Sequence, residues 1–381
     1  MRTSTSIIEP AEPDDSAPSA ARAVAGKGGL GWPAAAAGTV TGVFLLSNSA
    51  TPLYAHWQAE WGFDSGLLTV IFATYMVGLI AALVVAGRMA DRFGRKAVLV
   101  PGLSAAVLSS LLFLGAQNVA WLLIARLLAG GLAASGAHSP QHLVFGIVAG
   151  IEALALSVAI VLPLRRPSQP STGRLLAWPS APLENRRELR WGIAAFAPGI
   201  TSTSFVLSLG PTVLRSVGVS GTFVAGAVAC AMFLVAAGVQ FALARLTTRA
   251  HLALSSIAAI AAMIAVVLAV TVAPAVVLVV VAALLAGTAQ GLGQLAGLSL
   301  IATHVPAEKR AESNAVLNIG GYIPAGALSV AVGYAADAFG LPTAVTLFGA
   351  VVTLAALVAL VTTTASVDHH VAEATTEDEQ R

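Results

Sequence analysis

Charge is scarce in this chain. Asp, Glu, Lys and Arg make up 10% of its 381 residues, while 57% are hydrophobic. A soluble domain carries about 25% charge, so the shortage excludes an ordinary water-facing surface and points to one that faces lipid. The charges also nearly cancel, and a net +2 gives no reason to expect a nucleic-acid partner. Cysteine is almost absent. Cys230 stands alone inside an apolar run, which excludes a disulfide framework and makes it a small packing residue. There is no nucleotide-binding loop, no catalytic triad and no zinc-ligand spacing. His138 and His142 suit a metal no better than chance. An ATP-driven pump and a membrane enzyme therefore lack a motif, and neither cofactor nor metal is expected. A basic start followed by a short apolar core, as a secretory signal needs, is missing too. Residues 1–33 are rich in Ala, Pro, Ser and Asp and read as a disordered leader. Residues 365–381 set five acids against Arg381 and read as an acidic disordered tail.

Long apolar runs are plentiful. A helix needs about 20 apolar residues to cross the hydrocarbon, and helices satisfy their own backbone there. Such runs lie near 34–55, 66–87, 97–117, 119–137 and 143–163, then 191–214, 221–244, 252–273, 275–302, 314–336 and 342–364. These eleven runs imply an all-α integral membrane protein. The break at 164–190 holds six arginines, two glutamates and four prolines, which makes it a basic loop. The implied organisation is a helical bundle at 34–163, a basic linker at 164–190 and a six-helix bundle at 191–364.

Lysine and arginine collect on alternate turns. Arg88, Arg92, Arg95 and Lys96 sit in one, the six linker arginines in another, and Arg245, Arg249, Lys309 and Arg310 in two more. The turns near 56–65, 115–119, 272–275 and 337–341 carry only the acids Glu60, Asp64 and Asp337. The positive-inside rule makes the basic turns cytoplasmic and puts both chain ends inside. Arg215 is the exception and can snorkel from a helix end.

The stretch Gly87-x-Met89-Ala90-Asp91-Arg92-x-Gly94-Arg95-Lys96-x-x-Leu99 is denser than an anchor requires. It resembles the loop signature of major facilitator superfamily transporters, with methionine in place of one leucine, and it falls between the second and third spans as theirs does. The turn 305–318, VPAEKRAESNAVLN, resembles that family's turn between its tenth and eleventh helices. The resemblance implies two bundles around a central cavity that opens to one side at a time. It also implies a cytoplasmic lock made by Gly87, Asp91, Arg92, Gly94, Arg95 and Lys96. A faint internal repeat pairs this region with VQFALARLTTRAHLAL, 239–254, which lacks the glycine and aspartate.

The family has twelve spans, and eleven cannot leave both ends and the central loop on one side. The simplest account is a two-bundle fold of five plus six helices that lacks the equivalent of the family's fifth helix. The join would lie near 134–142, and 143–163 would match the sixth. Either 119–137 fails to span fully and returns outward, or it spans and 143–163 sits awkwardly.

Ionisable and polar groups inside spans are functional candidates. Arg126, in RLLAGG, resembles part of the family's fourth-helix pattern that is linked to proton coupling, with Ala129 in place of glutamine. Glu152 is a candidate proton carrier or a partner for Arg126. Gln240, Gln290, Gln294, Asn318 and Tyr322 are candidates for lining a substrate cavity. Gln290 and Gln294 share a helix with Gly287, Gly291, Gly293 and Gly297, whose spacing also suits a close packing seam. Pro198, Gly199 and Pro211 are candidate breaks in the first helix of the second half. Asp64, at an outer helix end, reads as a cap or an interface charge. The resulting expectation is a monomeric secondary-active transporter of the bacterial inner membrane. Its partners would be the lipid bilayer, a small organic solute and protons, with efflux by antiport as the first reading. A non-transporting remnant with a missing helix is the alternative.

Overall fold

The computed structural model describes residues 50, 53–93, 96–129, 149–151, 153–157, 160, 178–179, 182–219, 222–306 and 309–379. Side chains at 55, 56, 59, 86–88, 90, 91, 127–129, 222 and 364–379 lie outside that description. So do the expected leader 1–33 and the join near 134–142. Every regular element among the described residues is helical. The first half has α1 (Tyr54–Trp61), α2 (Ser65–Phe93), α3 (Lys96–Leu114) and α4 (Val119–Ala129). The second has α5 (Arg186–Ser216), α6 (Thr222–Ala242), α7 (Thr248–Thr271), α8 (Val276–His304), α9 (Arg310–Phe339) and α10 (Leu341–Glu379). Eight described helices are long and apolar enough to cross a bilayer.

Several boundaries move. Helix α1 continues to Trp61 where the hydropathy pattern suggests a turn over 56–65. Trp57 is buried and stacks on Trp61 at 6.1 Å and on Phe113 of α3 at 6.2 Å, so packing holds this stretch helical. The turn shrinks to Gly62, Phe63 and Asp64, with Gly62 left-handed at φ 67°. Helix α2 runs on to Phe93, so Asp91 and Arg92 belong to its last turn rather than to a loop. Helix α5 begins at Arg186 after a short 3-10 turn, Leu183–Asn185, so the linker's last residues are helical. Pro198 and Pro211 do not break α5, which is continuous through both. Helix α10 extends to Glu379, through residues expected to be a disordered tail. No proline or glycine stands between Thr363 and Glu379 to stop it. Cys230 is exposed on α6 rather than packed inside.

The piece between 149 and 160 matters for topology. Ala155 and Leu156 pack on Leu99, Val100 and Leu103 of α3, and Lys96 Nζ donates to the Ile160 carbonyl. This piece therefore runs antiparallel to α3. So does α4, which follows a tight turn and whose Ala125 carbonyl accepts from Ser109 Oγ at 3.4 Å. Counting along α3 from these pairs, Ala129 and Ala149 end within about one turn of the same depth. Ile160 reaches the end of the molecule that carries Lys96.

Helix α5 is the hub of the second half. Of its apolar window 78% is buried, against 28–56% for the other five helices of that half. It touches α6 to α10, and also α1 and α2. The halves meet mainly along α2 and α9.

Candidate substrate path and buried charge

Arg126 is fully buried on α4. Its Nε donates to the Tyr54 hydroxyl of α1. Its guanidinium carbon lies 5.1 Å from the Tyr54 ring centre, 5.7 Å from Phe72, 5.8 Å from Tyr75 and 6.0 Å from Phe113. Four aromatic rings from three helices thus converge on one cation. Each contact within about 6 Å stabilises the charge by roughly 0.5–2 kcal/mol, which is how a guanidinium tolerates a site without bulk water. On the other half, Tyr322 of α9 meets Phe196 of α5 edge-on at 6.3 Å.

The other candidates divide. Gln290 is buried where α5 crosses α8, and its Oε1 meets no donor among the described residues. Gly199 makes that crossing close: a Cβ there would stand 2.6 Å from the Ala289 carbonyl carbon and the Gln290 nitrogen. Gln294 is half-buried on the same helix. Gln240 donates to the Ala236 carbonyl at 3.2 Å, and Asn318 to the Asn314 carbonyl at 2.8 Å, so both amides are engaged within their own helices. The glycines of α8 are packing sites: Gly287 and Gly291 lie against α6, Gly293 against α5 and Gly297 against Leu317 of α9.

In the signature region, Arg92 is exposed with its guanidinium 5.4 Å over the Phe93 ring, and Lys96 ties α3 to Ile160. The side chains of Gly87 and Asp91, and all of Gly94, Arg95 and Glu152, lie outside the described residues. Asp64 caps α2, accepting from the Leu67 amide at 2.6 Å. A cavity of about 20 Å³ between α5, α6, α7 and α8 is lined by Phe205, Val206, Val228, Val266 and Val279 among others. It has room for about one water and no polar side chain in its lining, so it is no place for a polar solute.

Four aromatic residues, Tyr54, Phe72, Tyr75 and Phe113, were not singled out from the sequence. A hydroxyl run on α5 was also passed over. Thr201, Ser202, Thr203, Ser204 and Ser208 are all buried, and the last four each donate to a carbonyl three or four residues back, as Ser202 does to Pro198 at 2.8 Å. Four adjacent hydroxyls in an apolar span were the available signal.

Two helical halves joined along an antiparallel pair, with a buried cation beside the join, define a membrane-transport fold. The chain belongs to the Major Facilitator Superfamily, whose model matches residues 35–144 and 136–327. The two matched stretches overlap across the suspected join. A POT family transporter solved with 5-aminolevulinic acid is similar in structure, with a TM-score of 0.63 and 12% identity over 87% of this chain and 95% of that one. The nucleoside transporter NupG gives 0.58 and 13% over 86% and 96%. A bacterial homolog of the human lysosomal transporter Spinster, inward-facing and unoccupied, gives 0.53 and 14% over 89% and 96%. At such identities the likeness is one of fold. No curated protein matches the chain.

Proposed function

We propose that this multi-pass membrane protein is a secondary-active transporter that moves a small organic solute by alternating access, exporting it in exchange for protons. The observation that carries the reading is Arg126: a fully buried cation, ringed by aromatics, beside the seam along which the halves would rock. Ionisable groups in spans are costly and mark substrate or proton pathways. The Gln290 oxygen, which meets no donor among the described residues, supports a polar path on the other half. The sequence pattern of Arg126 and the signature around Asp91 support proton coupling and a cytoplasmic lock by resemblance. The basic turns support a cytoplasmic position for both ends.

Flux in proteoliposomes, with a panel of organic anions, cations and neutral solutes and with or without an imposed proton gradient, tests this. Uptake or release that follows the gradient is the expected result. Flux that ignores the gradient overturns the coupling. No flux from monodisperse protein favours a non-transporting relative.

A further inference from the structure

We infer that Asp337 is a latch that holds the two halves together at the end of the molecule away from the basic turns. It lies near the end of α9, in the second half. Its two carboxylate oxygens accept from the backbone amides of Ser65 at 3.1 Å and Gly66 at 2.6 Å, the first residues of α2 in the other half. First-turn amides have no partner within their own helix and carry the positive end of its dipole. A carboxylate supplied from across the seam meets both needs and ties the halves in doing so.

The backbone is shaped for this contact. A Cβ on Gly66 would stand 2.6 Å from the Tyr334 ring and 3.0 Å from Asp337 Oδ2. A Cβ on Gly333 would collide with Thr69 Oγ1. Glycine on both helices thus lets α2 and α9 close until the carboxylate reaches the amides. A second tie lies at the same end: Arg215 of α5 donates to Gln58 of α1 at 2.8 Å.

The sequence carries the device twice. Gly333, Ala336, Asp337, Phe339 and Gly340 repeat the spacing of Gly87, Ala90, Asp91, Phe93 and Gly94. Both aspartates stand third from the end of their helix, one ending α9 and the other ending α2. These two helices are the antiparallel pair that joins the halves, so each end of the pair carries one copy. A latch at each end, closing in turn, is what rocking requires. The role given to Asp337 rests on the alternating-access reading above.

Spin labels at Gln117→Cys and Ala273→Cys, in Cys230→Ser protein in nanodiscs, report the separation of the halves at this end. Both sites are exposed in turns, one in each half. Asp337→Asn and Asp337→Ala are expected to add a longer-distance population, with the open fraction rising roughly two- to fivefold, as loss of a carboxylate from a helix N-terminus implies. Asp64→Asn removes a carboxylate from the same helix end without cutting the link, and is expected to leave the distances unchanged. Unchanged distances in both Asp337 variants would overturn the latch. So would an equal shift in Asp64→Asn, which would reduce the effect to helix capping. Flux is read separately: protein that moves no solute but shifts its distances keeps the latch and loses the transport reading.

Discussion

A guanidinium inside a bilayer persists only where its charge is spread and its N–H groups are met. At Arg126 the rings of Tyr54, Phe72, Tyr75 and Phe113 do the first, and the Tyr54 hydroxyl does part of the second. Tyr54→Phe keeps the ring and deletes the acceptor. A buried donor left without its acceptor costs about 1–3 kcal/mol, so the variant should melt earlier in detergent than the parent. Tyr334→Phe, on an exposed residue, should melt with the parent. Equal melting of Tyr54→Phe and parent would remove Tyr54 from the site. Arg126 was legible because a charge in an apolar run stands out. Its partners were not, because one aromatic among leucines and valines looks the same facing lipid or facing a cation.

Elements follow a different logic, set by how closely backbones approach. Helix α5 crosses α8 at Gly199, where a Cβ would stand 2.6 Å from backbone atoms that cannot swing aside. Gly199→Ala should therefore destabilise by about 1–3 kcal/mol through overpacking. Gly238, in the interior of α6, has nothing within 4 Å of its would-be Cβ. Gly238→Ala should be neutral, or stabilising by up to about 1 kcal/mol. Melting of both variants in one detergent compares them directly, and a Gly199→Ala as stable as Gly238→Ala would contradict the close crossing. The existence of the spans was plain from hydropathy, while their ends were not. Helix α1 runs on through Trp57 and Trp61 because those rings bury against Phe113, a tertiary contact that no local pattern contains. Pro198 and Pro211 look like breaks on paper, yet a helix packed on nearly every side tolerates both.

At the scale of the whole molecule, parity and charge must agree. The count of apolar runs conflicted with the basic linker, since five full crossings would leave six arginines on the wrong side. The directions of α4 and of the piece ending at Ile160 remove that conflict: both run antiparallel to α3, and Lys96 holds Ile160 at the basic end. Ile160 then stands on the same side as Arg92 and Lys96. The turns at Gln117 and Ala273, together with Asp337, fall on the other. Single cysteines in a Cys230→Ser background read this out. Gln117→Cys should react with a membrane-impermeant maleimide in intact cells, whereas Trp178→Cys, in the linker and exposed, should react only after permeabilisation. The positive-inside bias is counted over short basic turns, and here four of them agree, so one helix end such as Arg215 should not reverse the outcome. Reaction of Trp178→Cys in intact cells would invert the orientation and turn the Asp337 latch into a cytoplasmic one.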